Sequence, residues 1–124
     1  MNRVINIKTG MIEITAEIDE TTTADAIWQA LPIQSTVNTW GEEVYFSTPI
    51  DVEPDNGREV VDAGDIGYWP PGKAFCIFFG RTPASRGNEI RAASPVNVFG
   101  KIIGDAKIFQ AAKTSDKIHV SRAE

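Results

Sequence analysis

The feature that most constrains this fold is an unbroken apolar run, Ala-Phe-Cys-Ile-Phe-Phe, at residues 74–79. Six consecutive apolar residues are typical of a strand that is buried on both faces. The run follows Trp69-Pro70-Pro71-Gly72, a rigid connection from a preceding strand that starts near Gly64. We therefore expect a central strand of a β-rich protein, with a barrel interior on one face and a helix on the other.

The first third of the chain predicts a hairpin followed by a short helix. Apolar and polar residues largely alternate over residues 4–7 and 12–18, and a Thr-Gly pair lies between the two runs. This pattern is typical of a β-hairpin. Thr21-Thr22-Thr23 then offers N-cap candidates for a helix over Ala24–Leu31, which ends at Pro32.

The last third mixes loop, strand and helix signals. Residues 81–95 are polar and contain two prolines, so we expect a long surface loop there. Residues 96–103 predict a strand pair bent at the glycines that follow Phe99 and Ile103. Asp105 is placed to cap a second short helix over residues 106–112, and a closing strand follows. The chain thus predicts seven or eight strands and two short helices.

Composition narrows the class of protein. A length of 124 residues with 42% hydrophobic residues fits a single globular domain over residues 1–124. The net charge of −5 disfavours nucleic acid and anionic membrane as partners. The longest apolar run is far too short to cross a bilayer, the N-terminus has no apolar signal core, and the single cysteine cannot form an internal disulfide. We therefore expect a cytoplasmic protein.

The charge is unevenly distributed along the chain. Residues 1–65 contain thirteen acids and three bases, whereas residues 66–124 contain four acids and nine bases. If the halves are separate in space, this asymmetry favours a dipolar surface and a homo-oligomer formed by self-association. If a barrel interleaves the halves, the charges mix on one surface. The sequence leaves both interpretations open.

The segment from Gly64 to Gly72, Gly-Asp-Ile-Gly-Tyr-Trp-Pro-Pro-Gly, precedes the Phe-rich run. Together with the helix at 24–32 and Pro95–Gly100, it resembles a family of small prokaryotic proteins with a cyclophilin-like fold. The resemblance implies a mainly β fold: a closed barrel of about eight mostly antiparallel strands, with two short helices at its ends. This family as a whole has no settled activity.

The resemblance does not extend to the residues that true cyclophilins use for prolyl isomerase activity. True cyclophilins are isomerases that use an arginine in a Phe-His-Arg-Val-Ile strand, followed by Gln-Gly-Gly-Asp. The corresponding strand here, residues 43–48, is Glu-Val-Tyr-Phe-Ser-Thr and contains no arginine. Fold similarity alone does not transfer an activity. We assign no catalytic residue and keep an isomerase with an altered mechanism as an alternative.

Three features that resemble reactive or metal-binding groups have simpler structural explanations. His119 lies on the predicted closing strand, and Cys76 lies inside the apolar run. One histidine with one cysteine cannot form an ordinary zinc site. Residues 51–57 resemble a calcium loop, but Asn56 occupies the position where the EF-hand requires glycine. We predict no metal site and no cofactor.

Arg81, Arg86 and Arg91 recur through the predicted 81–95 loop. Guanidinium groups on a mobile loop are suited to close over a carboxylate or phosphate. The simpler interpretation is solvated loop charge, because a five-residue spacing in a coil places no two side chains on one face.

The aromatic residues provide the most specific functional hypothesis. Tyr68 and Trp69 are adjacent, so they face opposite sides of a strand, and one of them is expected to line a groove beside Pro70-Pro71. Aromatic grooves with a few polar groups bind peptides or small molecules. We predict such a pocket for a peptide segment or small molecule, formed by Trp40, Glu43, Arg58, Tyr68, Trp69 and Phe78.

Overall fold

A computed structural model describes residues 3–123 of the protein. It contains one α-helix, α1 (Thr22–Ala30), and two 3-10 segments, Pro70–Gly72 and Ala106–Ala111. The strands are β1 (Arg3–Thr9), β2 (Ile12–Ile18), β3 (Ile33–Thr36), β4 (Asn38–Thr39), β5 (Glu43–Ser47), β6 (Arg58–Val61), β7 (Asp65–Trp69), β8 (Ala74–Phe78), β9 (Ile90–Ile103) and β10 (Lys117–Arg122).

The strands form one antiparallel sheet in the order β3-β10-β1-β2-β9-β7-β8-β5-β4, and β6 pairs with β9 beside this path. The end strands β3 and β4 are consecutive in the chain and are joined by Val37. The sheet therefore curls until its two ends meet. The predicted mainly β, antiparallel fold with two short helices is confirmed.

The sheet is open where a fully closed barrel was expected. Within residues 3–123, no strand ladder joins β3 to β4. The backbone of Val37 bonds instead to the turn before β10: its N–H donates to the Asp116 carbonyl (2.8 Å), and its carbonyl accepts from the Ser115 N–H (2.9 Å). These bonds occupy the backbone groups that a closing ladder would need.

Local signals explain the two N-terminal elements. The β1–β2 hairpin turns at Gly10, which has a φ of +55° that glycine adopts without strain. Helix α1 is capped by Thr21, whose side chain accepts a hydrogen bond from the Ala24 N–H at 3.2 Å. The helix buries Ala24 and Ile27 against the inside of the sheet. Both predictions are confirmed, with helix bounds shifted by one or two residues.

The inner core is the set of apolar side chains inside the curled sheet, and three phenylalanines form its centre. The Phe75 ring stacks on Phe46 with centroids 4.8 Å apart and meets the edge of Phe99 at 5.2 Å. Such pairs add to the free energy of burial. Ile5, Ile7, Ile18, Ile66 and Ile77 are fully buried in the same cluster.

The predicted 81–95 loop is confirmed only as far as residue 89, and the predicted strand pair at 96–103 was wrong. One strand, β9, runs for 14 residues from Ile90 to Ile103. Its first part pairs with β6, and its later part pairs with β2 and β7. Gly100 marks a close approach to β2, because a Cβ there would lie 2.4 Å from the Glu17 carbonyl oxygen. The glycine therefore lies within a continuous strand.

The second predicted helix is present in 3-10 form. The Asp105 side chain accepts a hydrogen bond from the Lys107 N–H at 2.9 Å, as expected for a cap, and Phe109 is buried. No helix in residues 3–123 combines the length and apolar character needed to cross a membrane.

Burial of β8 on both faces is confirmed, but the expected helix does not cover its outer face. Phe75 and Ile77 point into the inner core, while alternate residues point outward. The outward side chains pack beneath β6 and the first part of β9. We call the apolar side chains that meet there, from β6, β8 and β9, the outer cluster; its buried members are Val61, Ala74, Cys76, Phe78, Ala92 and Val96.

Candidate ligand-binding pocket

A cavity of about 230 Å³ opens in the outer cluster. Strands β5, β8 and β7 form its base, and the first part of β9 forms one wall. We call it the outer pocket. Its lining residues are Trp40, Glu43, Tyr45, Trp69, Cys76, Ala92, Ala93 and Val96.

Strand register brings the base of the outer pocket together. Tyr45 on β5 lies opposite Cys76 on β8, and Cys76 lies opposite Gly67 on β7. A Cβ at Gly67 would be only 3.0 Å from the Cγ2 atom of Val96. The missing side chain therefore lets β9 cross close to β7, and Val96 fills the space beside Cys76.

Trp69 is held rigidly at one side of the outer pocket. Its indole N–H donates to the Ser94 hydroxyl at 2.6 Å. A Cβ at Gly72 would lie 2.7 Å from two carbon atoms of the Trp69 ring, so the ring rests on the Pro-Pro-Gly turn. A ring fixed in this way loses little conformational freedom when it contacts a ligand.

Trp40 is positioned by a tight turn at the opposite side. Its backbone N–H donates to the Glu43 carbonyl at 3.0 Å, and Gly41 within the turn has a φ of +59°. A Cβ at Gly41 would lie 2.8 Å from Pro83 Cδ, so the turn packs directly on the connection between β8 and β9. The Glu42 N–H also donates to the Arg81 carbonyl at 2.9 Å.

Glu43 is the charged side chain of the outer pocket. Only 6% of the residue is exposed, and it forms no ion pair with a basic side chain within residues 3–123. Burial raises the pKa of Glu43 to about 7, and hydrogen bonding with Cys76 opposes this to a smaller extent. Burial and the neighbouring Glu43 carboxyl also raise the pKa of the Cys76 thiol well above its usual value.

The comparisons with known proteins identify the family. The sequence model described as cyclophilin-like matches residues 3–121. The chain belongs to the cyclophilin-like family. It is also similar to a hypothetical protein from Archaeoglobus fulgidus with a known solution structure. The two are 41% identical, the TM-score is 0.84, and the match covers 98% of this chain and 95% of that one. No curated protein matches the chain.

Three of the six predicted site residues of this cyclophilin-like protein meet in the outer pocket: Trp40, Glu43 and Trp69. Phe78 lies opposite Glu43 in the strand register and is fully buried in the outer cluster, beneath the lining. The alternation argument for Tyr68 and Trp69 fits the structure, in which Trp69 is the outward residue.

The other two predicted site residues lie elsewhere in the cyclophilin-like fold. Tyr68 is fully buried in the inner core, where its hydroxyl donates to the Ile50 carbonyl at 3.0 Å and accepts from the Val52 N–H at 3.3 Å. Arg58 is exposed and lines a separate depression with Thr21 and Asn56, because its strand β6 passes over the outer cluster.

Five lining residues were not predicted: Tyr45, Cys76, Ala92, Ala93 and Val96. Tyr45 had a usable signal, since it is two residues from Glu43 on a strand and therefore shares its face. Ala92 and Ala93 lay in the presumed loop. Only the pairing of β9 with β6 brings these two alanines over β8, and no local sequence pattern predicts that pairing.

None of the three arginines in the 81–91 segment lines the outer pocket. Arg91 lies on β9 and forms ion pairs with Glu59 (2.9 Å) and Glu89. Arg81 donates to the Ser85 carbonyl. The hydrogen bond from Arg91 is the largest cause that lowers the pKa of Glu89, and the charge of Arg86 lowers it further.

The remaining candidates lie away from the outer pocket. His119 lines a polar depression with Lys8 and Lys117 on the β1–β10 side of the sheet. In the 51–57 segment, the Asp55 N–H donates to the Asn97 side-chain oxygen at 2.9 Å. Across residues 3–123, no three histidine, cysteine or acidic side chains are grouped to hold a metal ion.

Proposed function

We propose that this cyclophilin-like protein binds a small organic molecule, or a single side chain of a peptide, in the outer pocket. The observation that carries the proposal is Glu43, a buried carboxyl group in an aromatic-lined cavity that has no basic partner among residues 3–123. A buried ionisable group that lacks a partner costs free energy. A ligand that supplies the partner would offset that cost.

The size of the cavity supports a small ligand. Its volume of about 230 Å³ lies below the roughly 300 Å³ at which drug-sized pockets begin. The lining is mostly apolar and aromatic, with Glu43 as its one carboxyl group. This combination of an apolar wall and a single orienting polar group is typical of small-molecule sites.

NMR spectroscopy of the tryptophan indole N–H signals tests the proposal. The probes are benzylammonium, benzyl alcohol and benzoate, which share a ring and differ in charge. We expect at least one of them to shift the Trp40 and Trp69 signals saturably. The Trp28 signal provides an internal control, because its ring lies outside the outer pocket, in contact with the guanidinium groups of Arg3 (5.4 Å) and Arg122 (4.6 Å).

A pair of variants then locates the binding. Ala93→Phe adds a ring at an exposed lining position and should block the shifts. Met11→Phe makes a similar addition on the exposed β1–β2 turn and should leave them unchanged. The proposal is overturned if no probe saturates the Trp40 and Trp69 signals, or if Ala93→Phe binds as the parent protein does.

A prolyl isomerase with an altered mechanism is the second candidate, because an aromatic lining also suits a proline ring. Catalysis would then depend on apolar desolvation, since the lining contains no arginine. A proline-peptide isomerisation assay separates the two functions. A rate above the uncatalysed one that is lost in Trp69→Ala would favour the isomerase over simple binding.

A further inference from the structure

We propose that the occupant of the outer pocket carries an ammonium group, either as a free amine or as a lysine side chain. This inference rests on the proposed function and specifies its ligand class. The geometry that supports it is the meeting of three aromatic side chains, Trp40, Tyr45 and Trp69, with the Glu43 carboxyl in one small cavity.

Aromatic rings and a carboxylate select for the same ligand charge. The π-face of a ring attracts cations, tryptophan most strongly, and the attraction grows as water is removed. The Glu43 carboxylate adds an ion pair and a hydrogen-bond acceptor. An anionic ligand would be repelled by the carboxylate, and a neutral one would leave it without a counter-charge. An ammonium group attached to a short apolar chain satisfies both parts of the lining.

No residue of the lining already provides that cation. The titratable groups are Glu43 and Tyr45 from β5 and Cys76 from β8. The lining residues from β7 and β9 carry no charge. Arg91 adjoins the β9 wall in sequence, but its guanidinium is paired with Glu59 and Glu89. Within residues 3–123, the place of a counter-ion to Glu43 is therefore open to a ligand.

The protonation of Glu43 makes this proposal measurable. With a pKa of about 7 in the free protein, the carboxyl is largely protonated at pH 5.5 and largely ionised at pH 8. An ammonium ligand favours the ionised form, so its affinity must fall as the pH is lowered through 7. A neutral ligand of the same shape has no such dependence on the charge of Glu43.

The experiment compares benzylammonium with benzyl alcohol at pH 8 by NMR titration. We expect the cation to bind at least about tenfold more tightly, the range of a desolvated cation–π contact supported by a carboxylate. Glu43→Gln keeps the shape of the side chain and should reduce this preference to the part that the aromatic rings contribute. Glu42→Gln is the matched control: it removes a neighbouring charge outside the pocket lining and should preserve the preference.

A second measurement does not depend on any variant folding. On lowering the pH from 8 to 5.5, the affinity of the unaltered protein for benzylammonium should fall by up to about tenfold, because Glu43 then passes from mostly ionised to mostly protonated. The affinity for benzyl alcohol should stay constant. Equal affinities for the two probes at pH 8, or tighter binding of benzoate, would overturn the cation inference and leave the proposed function standing. Absence of binding by all probes would overturn both.

Two further probes distinguish the sources of the ammonium group. N-acetyl-lysine methylamide presents it as a peptide does, and N-acetyl-norleucine methylamide is the matched neutral control. Binding of the lysine compound but not the norleucine one would assign the pocket to lysine side chains. If neither the lysine nor the norleucine compound binds while benzylammonium does, the pocket would be assigned to free amines. Either result supports the ammonium proposal, whereas preference for norleucine contradicts it.

Discussion

The two faces of β8 show how one strand serves two different environments. On the inner face, Phe75 packs between Phe46 and Phe99, and neighbouring apolar side chains fill the remaining space. On the outer face, Cys76 and Phe78 lie under β6 and β9, and the cover stops short of the outer pocket. Both faces are buried, and the outer pocket opens on the outer one.

Polar groups reveal the same contrast. The Tyr68 hydroxyl in the inner core both donates and accepts a hydrogen bond, so its burial is compensated. The Glu43 carboxyl on the outer face has no basic partner within residues 3–123, and its pKa is raised to about 7. The inner face is therefore built for stability. The outer face carries an energetic cost of the kind that functional sites retain.

The largest expected effect compares the two faces through their phenylalanines. Phe75→Ala should lower the free energy of unfolding by about 3–5 kcal/mol, because it leaves a cavity inside the inner core. Phe78→Ala should cost less, about 2–3 kcal/mol, since the adjacent outer pocket lets water enter the space. Urea denaturation measures both values.

Equal losses would break the comparison, because they would mean that the outer cluster is packed as completely as the inner core. Where Phe75→Ala does not fold, Phe75→Leu and Phe78→Leu make the same comparison with smaller cavities. The order of the two losses, rather than their absolute size, is the decisive result.

The second prediction concerns the stability cost of Glu43. Its pKa is about 7 when folded and near 4.5 when unfolded, so the folded state binds the proton more tightly between these values. The free energy of unfolding therefore falls as the pH rises from 4.5 to 7. The group costs on the order of 3 kcal/mol above pH 7, at about 1.4 kcal/mol for each unit of pKa, and nothing below pH 4.

Glu43→Gln cannot ionise and escapes this cost. Its free energy of unfolding relative to the parent protein should therefore increase by a few kcal/mol between pH 4 and pH 8, measured by urea denaturation at both values. Glu42→Gln provides the reference for loss of one negative charge at a neighbouring, partly exposed position. A difference between Glu43→Gln and the parent that does not change with pH would contradict the unpaired state of this carboxyl.

Local chemistry made much of the fold predictable from the sequence. The hairpin turn at Gly10 and the Thr21 cap of α1 depend on residues within a few positions of each other. The double burial of β8 follows from apolar composition alone. The extent of β9 was not predictable in this way, because Ile90–Pro95 form a strand only through pairing with β6, about 30 residues earlier in the chain.

The candidate site was predictable to a similar degree. Alternation placed Tyr68 and Trp69 on opposite faces, but only the curl of the whole sheet decides which face is inside. Glu43 and Trp40 were identified because they adjoin an aromatic strand. Arg58 lies 15 residues after Glu43 in the chain. Its position depends on the path of β6, which no local sequence pattern determines.

The smallest expected effect tests whether the outer pocket depends on its supporting turn. Gly41 and Gly87 have nearly the same φ, +59° and +58°. Alanine at either position costs about 1 kcal/mol of stability for the left-handed backbone. Only Gly41 is also crowded: a Cβ there meets Pro83, Arg81 and Thr82 within 2.9 Å, whereas a Cβ at Gly87 meets nothing within 4 Å.

Gly41→Ala should therefore cost about 1–2 kcal/mol more than Gly87→Ala in the free energy of unfolding, because the turn must move away from its neighbours. It should also displace Trp40 and weaken benzylammonium binding about tenfold, the scale of one lost cation–π contact. Gly87→Ala should bind as the parent protein does. If both variants lose the same stability and neither loses affinity, Trp40 is not held by this turn, and the outer pocket does not need the β8–β9 connection for its shape.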